Sequence, residues 1–133
     1  MTPTEMVSDM QVFLVEDDKI YSDFIRKALG QNPELKVSAF ISAEDALTEM
    51  KGKLPEVLVI DYKLPGMSGI NMYETIKPQI TDANKVIMLS AIDDGNMVLS
   101  FIQKGVRDYV IKDENVIEAL ESIIEGKEDF FFK

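Results

Sequence analysis

Three kinds of side chain suited to phosphate and hard cations recur in this sequence, each straight after a short aliphatic run. An acidic run, Glu16-Asp17-Asp18, follows MQVFLV, and Asp61 closes VLVID. Ser90 closes VIMLS, and Lys112 follows YVI. A carboxylate at the mouth of a buried aliphatic segment costs desolvation unless something compensates it. Crowded carboxylates drive one of their number to protonate unless a cation joins them. Only oxygen ligands are on offer, so that cation is a hard one, and a partly hydrated Mg2+ with open positions suits the set. Lys112 adds a compact positive charge and Ser90 a hydroxyl, which match two further phosphoryl oxygens. The combination is equipped for phosphoryl transfer with Asp61 as the nucleophile.

For these residues to meet, the chain must bring the ends of several aliphatic runs together. Strands are predicted at 10–15, 37–40, 57–60, 86–90 and 109–111. Amphipathic helical patterns alternate with them. The first, 19–29, places Ile20, Phe24 and Ala28 on one face and is closed by Gly30. The second is capped by Ser42, with Asp45 three residues on, and carries Ala43, Ala46, Leu47 and Met50. Ile70, Tyr73 and Ile76 mark the third, which Pro78 should end. Met97, Val98, Phe101 and Ile102 mark the fourth, up to Gly105. Val116, Ile117, Leu120, Ile123 and Ile124 mark the fifth, up to Gly126. Strands alternating with crossover helices imply an α/β doubly wound, five-stranded parallel sheet covered on both faces by five helices. The working crevice of such a sheet lies outside the carboxyl ends of the strands, where strand order reverses. In the order 2-1-3-4-5 the acidic run and Asp61 share that crevice, with Ser90 next and Lys112 beyond.

Taken singly, each residue has a plainer role. Asp17 or Asp18 can cap the first helix, Asp61 can be a turn residue, Ser90 a cap and Lys112 a solvated strand-end lysine. Their joint placement at the ends of the right strands favours the chemical reading.

Composition narrows the field. The 133 residues are 46% hydrophobic and carry a net charge of −10, with no cysteine and no histidine. Histidine-based triads and nearly all zinc sites are excluded. The chain cannot itself carry a phosphohistidine. Its acidity argues against nucleic-acid binding by this domain alone. No apolar run is long enough for a membrane helix, the first residues look unlike a signal peptide, and a cytoplasmic location is expected. One domain over 1–133 is expected, with a core of about 10–126 and a tail at 127–133.

The motifs FLVEDD (13–18), VLVIDYKLPGMSG (57–69), VIMLSA (86–91) and GVRDYVIK (105–112) together resemble the receiver domain of two-component response regulators, a flavodoxin-like fold. The resemblance covers about residues 10–126. It implies that Glu16 and Asp17 help to hold Mg2+ with Asp61 and the backbone carbonyl of Lys63, whereas Asp18 lies outside the metal site. It further implies that Asp61 is the phosphoacceptor, Lys112 the phosphate-binding lysine, Ser90 the switch hydroxyl and Tyr109 the aromatic that turns with it. The implied donor is a histidine kinase or phosphotransfer protein. The implied downstream contact is the surface of helix 4, strand 5 and helix 5, with homodimer formation on phosphorylation as a further expectation. Leu64-Pro65-Gly66 should make a tight turn over the site, and Gly69 should let the next helix start close by.

The chain departs from the family pattern in places. Asp113 stands where proline usually follows the lysine, as in receivers attached to helix-turn-helix output domains of the nitrate-response type. The last helix carries Glu118, Glu121 and Glu125 and no arginine, unlike the charge-paired dimers of winged-helix regulators. Lys63 and Ile92 occupy positions that modulate phosphoryl lifetime. Phe130-Phe131-Phe132 could pack on the domain, join a partner surface or begin a linker. Two alternatives from other classes stay open. One is a constitutive interaction module with a receiver fold, which typically lacks the acceptor, the lysine or part of the acidic pair. The other is a phosphatase of the haloacid dehalogenase type, which wants Asp-x-Asp where this chain has Lys63. A receiver half of a longer DNA-binding regulator is a further reading.

Overall fold

A computed structural model describes residues 10–91 and 95–126. The Phe130–Phe132 run and Ile92 lie outside the described residues. Five strands, β1 (Met10–Val15), β2 (Leu35–Phe40), β3 (Val57–Asp61), β4 (Lys85–Ser90) and β5 (Asp108–Ile111), form one parallel sheet in the order 2-1-3-4-5. The crossovers contain α1 (Lys19–Leu29), α2 (Ala43–Met50), α3 (Gly69–Ile76) and α4 (Gly95–Gln103), and α5 (Val116–Ile124) follows β5.

The central strands explain why the aliphatic runs are unbroken. Val57 and Val59 of β3, with Ile87 and Leu89 of β4, face one core, which α1 and α5 cover through Ile25, Leu29, Val116, Leu120 and Ile123. Leu58 and Ile60, with Val86 and Met88, face the other, covered by Ala46 and Met50 of α2, Met72 and Ile76 of α3 and Phe101 of α4. A strand buried on both faces has no solvent side to mark with polar residues.

The helix starts follow their caps. Asp18 accepts from the backbone N–H groups of Ile20 and Tyr21. Ser42 accepts from Asp45 N–H at 3.1 Å, and Ser68 from Asn71 N–H at 3.1 Å. Helix α3 stops at Ile76, and Pro78 sits in a following 3-10 turn, Lys77–Gln79. The strands β2, β4 and β5 begin one or two residues earlier than their apolar patterns, at Leu35, Lys85 and Asp108, because ladder pairing includes the polar residues Lys36, Lys85 and Asp108.

Two helix faces differ from expectation. Helix α1 buries Ser22, Ile25 and Leu29, while Ile20 is 85% exposed and Phe24 50% exposed. The sequence holds two stripes at i, i+4 spacing, Ile20-Phe24-Ala28 and Tyr21-Ile25-Leu29. Periodicity cannot choose between stripes one residue apart, and docking on β1 selects the second. In α4, Phe101 is fully buried, but Ile102 points outward at 55% exposure.

Candidate functional site

The carboxyl ends of β1, β3, β4 and β5 converge on one crevice. Glu16 follows β1, and its backbone N–H bonds the Phe40 carbonyl at 3.0 Å, which ties the acidic run to the end of β2. Asp61 ends β3, and Lys112 follows β5 with its N–H on the Ser90 carbonyl at 2.8 Å. Lys112 Nζ reaches Glu16 Oε1 at 2.7 Å and Asp61 Oδ2 at 2.9 Å. Both carboxylates are buried, Glu16 almost completely. Asp17 is exposed but offers an oxygen to the same place: ligand atoms of Glu16, Asp17 and Asp61 all lie within 4.8 Å of one another. Three carboxylates and one ammonium leave the cluster short of positive charge.

That shortage appears in the titration of Glu16. Burial pushes its carboxyl up from 4.5 to about 7, although the bond from Lys112 and the Asp18 N–H lower it. Burial would depress Lys112, but its bonds to Glu16 and Asp61 outweigh that and raise it above 10.5. A buried acid raised by desolvation and a carboxylate neighbour is the state that a hard cation relieves. The all-oxygen donor set therefore fits Mg2+.

Asp61 Oδ1 accepts from Lys63 N–H at 3.1 Å, so the loop after β3 is bonded to the carboxylate it follows. Gly69 makes the return of that loop feasible. A Cβ there would collide with the Asp61 carbonyl oxygen and the Tyr62 Cα. Gly66 turns the loop at φ +71. Ser90 is fully buried, and its Oγ donates to the Ala91 carbonyl at 3.4 Å, a long and weak bond. Tyr109, one strand over, is 40% exposed. The Asp18 side chain caps α1, while its backbone N–H donates to Glu16 Oε2 at 3.1 Å. Asp113 accepts from Asn115 N–H at 2.9 Å ahead of α5, and no peptide bond among the described residues is cis.

Two neighbours went unnoticed in the sequence. Glu44 of α2 accepts from Met67 N–H at 3.1 Å and braces the loop that follows Asp61. Tyr21 of α1 lies beneath Lys112, whose Nζ is 4.8 Å from the ring centroid. Neither is marked by a local motif, since Glu44 and Met67 are 23 residues apart and Tyr21 and Lys112 are 91 apart.

An acidic crevice bridged by a lysine, at the switch point of a 2-1-3-4-5 parallel sheet, defines a doubly wound α/β protein with its working site at the strand ends. The profile of the response regulator receiver domain matches residues 12–125, and the chain belongs to that family. It is a signal-transduction domain rather than a classical enzyme. The chemotaxis protein CheY of Bacillus subtilis (strain 168) is 28% identical over 113 residues, covering 85% of this chain and 93% of CheY. The DNA-binding transcriptional activator DevR/DosR of Mycobacterium tuberculosis (strain ATCC 25618 / H37Rv) is 30% identical over 115 residues, covering 86% of this chain and 52% of that protein. Several other curated relatives are matched over about half of their length or less. Among solved structures, the BeF3-activated DrrB receiver domain superposes with a TM-score of 0.76 at 28% identity, over 90% of this chain and 97% of that one. No helix among the described residues is long and apolar enough to cross a membrane.

Proposed function

We propose that this domain is a phosphorylation switch that accepts a phosphoryl group on Asp61 from a histidine kinase or phosphotransfer protein. The observation that carries the proposal is the Lys112 ammonium bridging buried Glu16 and Asp61. That bridge supplies a nucleophilic carboxylate, a cation poised for phosphoryl oxygen and a cluster still short of positive charge. Glu16, Asp17, Asp61 and the Lys63 carbonyl would hold Mg2+. When bound, the ion neutralises the carboxylates and the charge of the incoming phosphoryl group.

The rest is done by side chains. An Asp61 carboxylate oxygen forms the new P–O bond as the P–N bond of the donor phosphohistidine breaks, and the departing imidazole takes a proton. Lys112 shifts from carboxylate to phosphoryl oxygen. Ser90 gives up its weak bond to the Ala91 carbonyl and donates to another phosphoryl oxygen. Tyr109 then follows, and the surface of α4, β5 and α5 changes its affinity for a downstream protein or for a second copy. This is a two-state equilibrium, which the phosphoryl group biases by its differential affinity for the two states. The exposed Ile20 and Phe24 on α1, the helix that Asp18 caps, suit contact with the phosphodonor protein. A net charge of −10 argues against direct nucleic-acid contact by this domain. The match to about half of DevR/DosR supports a compatible second reading, the receiver half of a longer DNA-binding regulator.

Intact mass after incubation with acetyl phosphate tests the proposal. A single-phosphate adduct is expected on the wild type with Mg2+, and none on Asp61→Asn or in EDTA. Full modification of Asp61→Asn at the same rate would sink it. A folded wild type that neither acetyl phosphate nor any kinase modifies would favour a constitutive interaction module.

A further inference from the structure

Lys112 has a third neighbour besides its two carboxylates. Its ammonium stands 4.8 Å above the centroid of the Tyr21 ring, inside the range in which an aromatic face attracts a cation. Tyr21 is placed there by the start of α1, where Asp18 accepts from its N–H at 3.1 Å. Its ring also meets Phe24 at 6.0 Å. The hydroxyl does nothing comparable, being buried with no hydrogen-bond partner among the described residues. A phenol whose polar end is left unmatched, while its face lies under an ammonium, is placed for its face.

We infer that Tyr21 is a positioning residue, an aromatic platform that holds the Lys112 ammonium over the crevice. The inference rests on Lys112 serving the phosphoryl group, as proposed above. Lysine has a long flexible stem and a strongly hydrated head, so something must fix it once its anions are engaged elsewhere. Glu16 and Asp61 hold Lys112 now, but carboxylates shared with a metal ion attract an ammonium less. The ring is not shared, and it draws the cation without neutralising it. Lys112 thus keeps its full charge and its place for the incoming phosphoryl oxygen.

The test compares wild type, Tyr21→Phe, Tyr21→Leu and Tyr21→pentafluorophenylalanine. The fluorinated side chain keeps the ring's shape and removes the attraction of its face for cations. One readout is the ring-current shift of the Lys112 ε-methylene protons by NMR, with and without Mg2+. The other is the rate of phosphorylation by acetyl phosphate. Tyr21→Phe should keep the shift and a rate within about twofold of wild type. Tyr21→Leu and the fluorinated variant should slow phosphorylation by roughly 2- to 30-fold, the range of a partly desolvated cation–aromatic contact. In Tyr21→Leu the ε-proton shift should also vanish.

A purely structural role for Tyr21 predicts another pattern. The fluorinated variant would then phosphorylate like Tyr21→Phe, and that result overturns the inference. So does an unshifted Lys112 ε-methylene in wild type. If Tyr21→Leu fails to fold, the fluorinated variant carries the test alone. Absence of phosphorylation in every protein, wild type included, would count against the proposed function, while the NMR shifts would still decide whether the platform exists.

Discussion

Replacing Lys112 with methionine removes the ammonium that bridges Glu16 and Asp61 and keeps most of the stem. Breaking a buried ion pair by deleting one partner costs about 3–5 kcal/mol. The Lys112 side chain keeps 23% of its exposure, so a cost near 2–3 kcal/mol is expected for the metal-free protein at pH 8. The cost depends on pH because Glu16 can take a proton. In wild type, burial raises Glu16 from 4.5 to about 7. Between those values the folded state binds more protons than the unfolded chain. Metal-free stability is therefore greatest below 4.5 as far as Glu16 is concerned, and falls as pH rises to about 7. The loss is on the order of 3 kcal/mol at most. Without Lys112 the interaction that lowers Glu16 is gone, so the fall extends to higher pH. Urea unfolding in EDTA should show Lys112→Met weaker than wild type by about 2–3 kcal/mol at pH 8 and by about 1 kcal/mol or less at pH 5.5. Saturating Mg2+ should restore more stability to the variant than to wild type, since carboxylates lacking their ammonium gain more from a cation. Equal stability of the two proteins in EDTA at pH 8, or the same deficit at both pH values, would refute this view of the cluster.

Other consequences follow from single contacts. Phe101→Ala empties a fully buried site against Tyr62, whose ring centroid is 5.6 Å away. It should cost about 3–5 kcal/mol in urea unfolding. Gly69→Ala forces a Cβ onto the backbone of Asp61 and Tyr62. It should cost about 1–3 kcal/mol and slow phosphorylation, because the displaced segment carries the acceptor. Ser90→Ala should still be phosphorylated on Asp61, yet its α4, β5 and α5 amide resonances should move less on addition of beryllofluoride than those of wild type. Unchanged shifts there would remove Ser90 from the switch.

The parts of the molecule that the sequence disclosed are those written in local pattern. Unbroken aliphatic runs at β3 and β4 reveal strands buried on both faces. The β-α alternation then fixes which ends meet, so Glu16, Asp61, Ser90 and Lys112 could be assembled on paper. The Ser42 cap and the stop before Pro78 are equally local. What escaped depends on packing. The rotation of α1 is undecided between two equally spaced stripes until the helix docks. The outward turn of Ile102 depends on Phe101 filling the core first. Tyr21 beneath Lys112 and Glu44 beneath Met67 join residues distant in sequence, and no local motif marks either pair. The starts of β2, β4 and β5 escape the apolar pattern because backbone pairing includes the polar residues Lys36, Lys85 and Asp108.

The most direct measurement is to phosphorylate the protein with acetyl phosphate and Mg2+, reduce the acyl phosphate with borohydride, and map the product by tandem mass spectrometry. Reduction turns a phosphorylated aspartate into homoserine. Homoserine at position 61, dependent on Mg2+ and on the phosphodonor, is the predicted result. Homoserine at Asp17 or Asp18 instead, with Asp61 intact, would contradict the account.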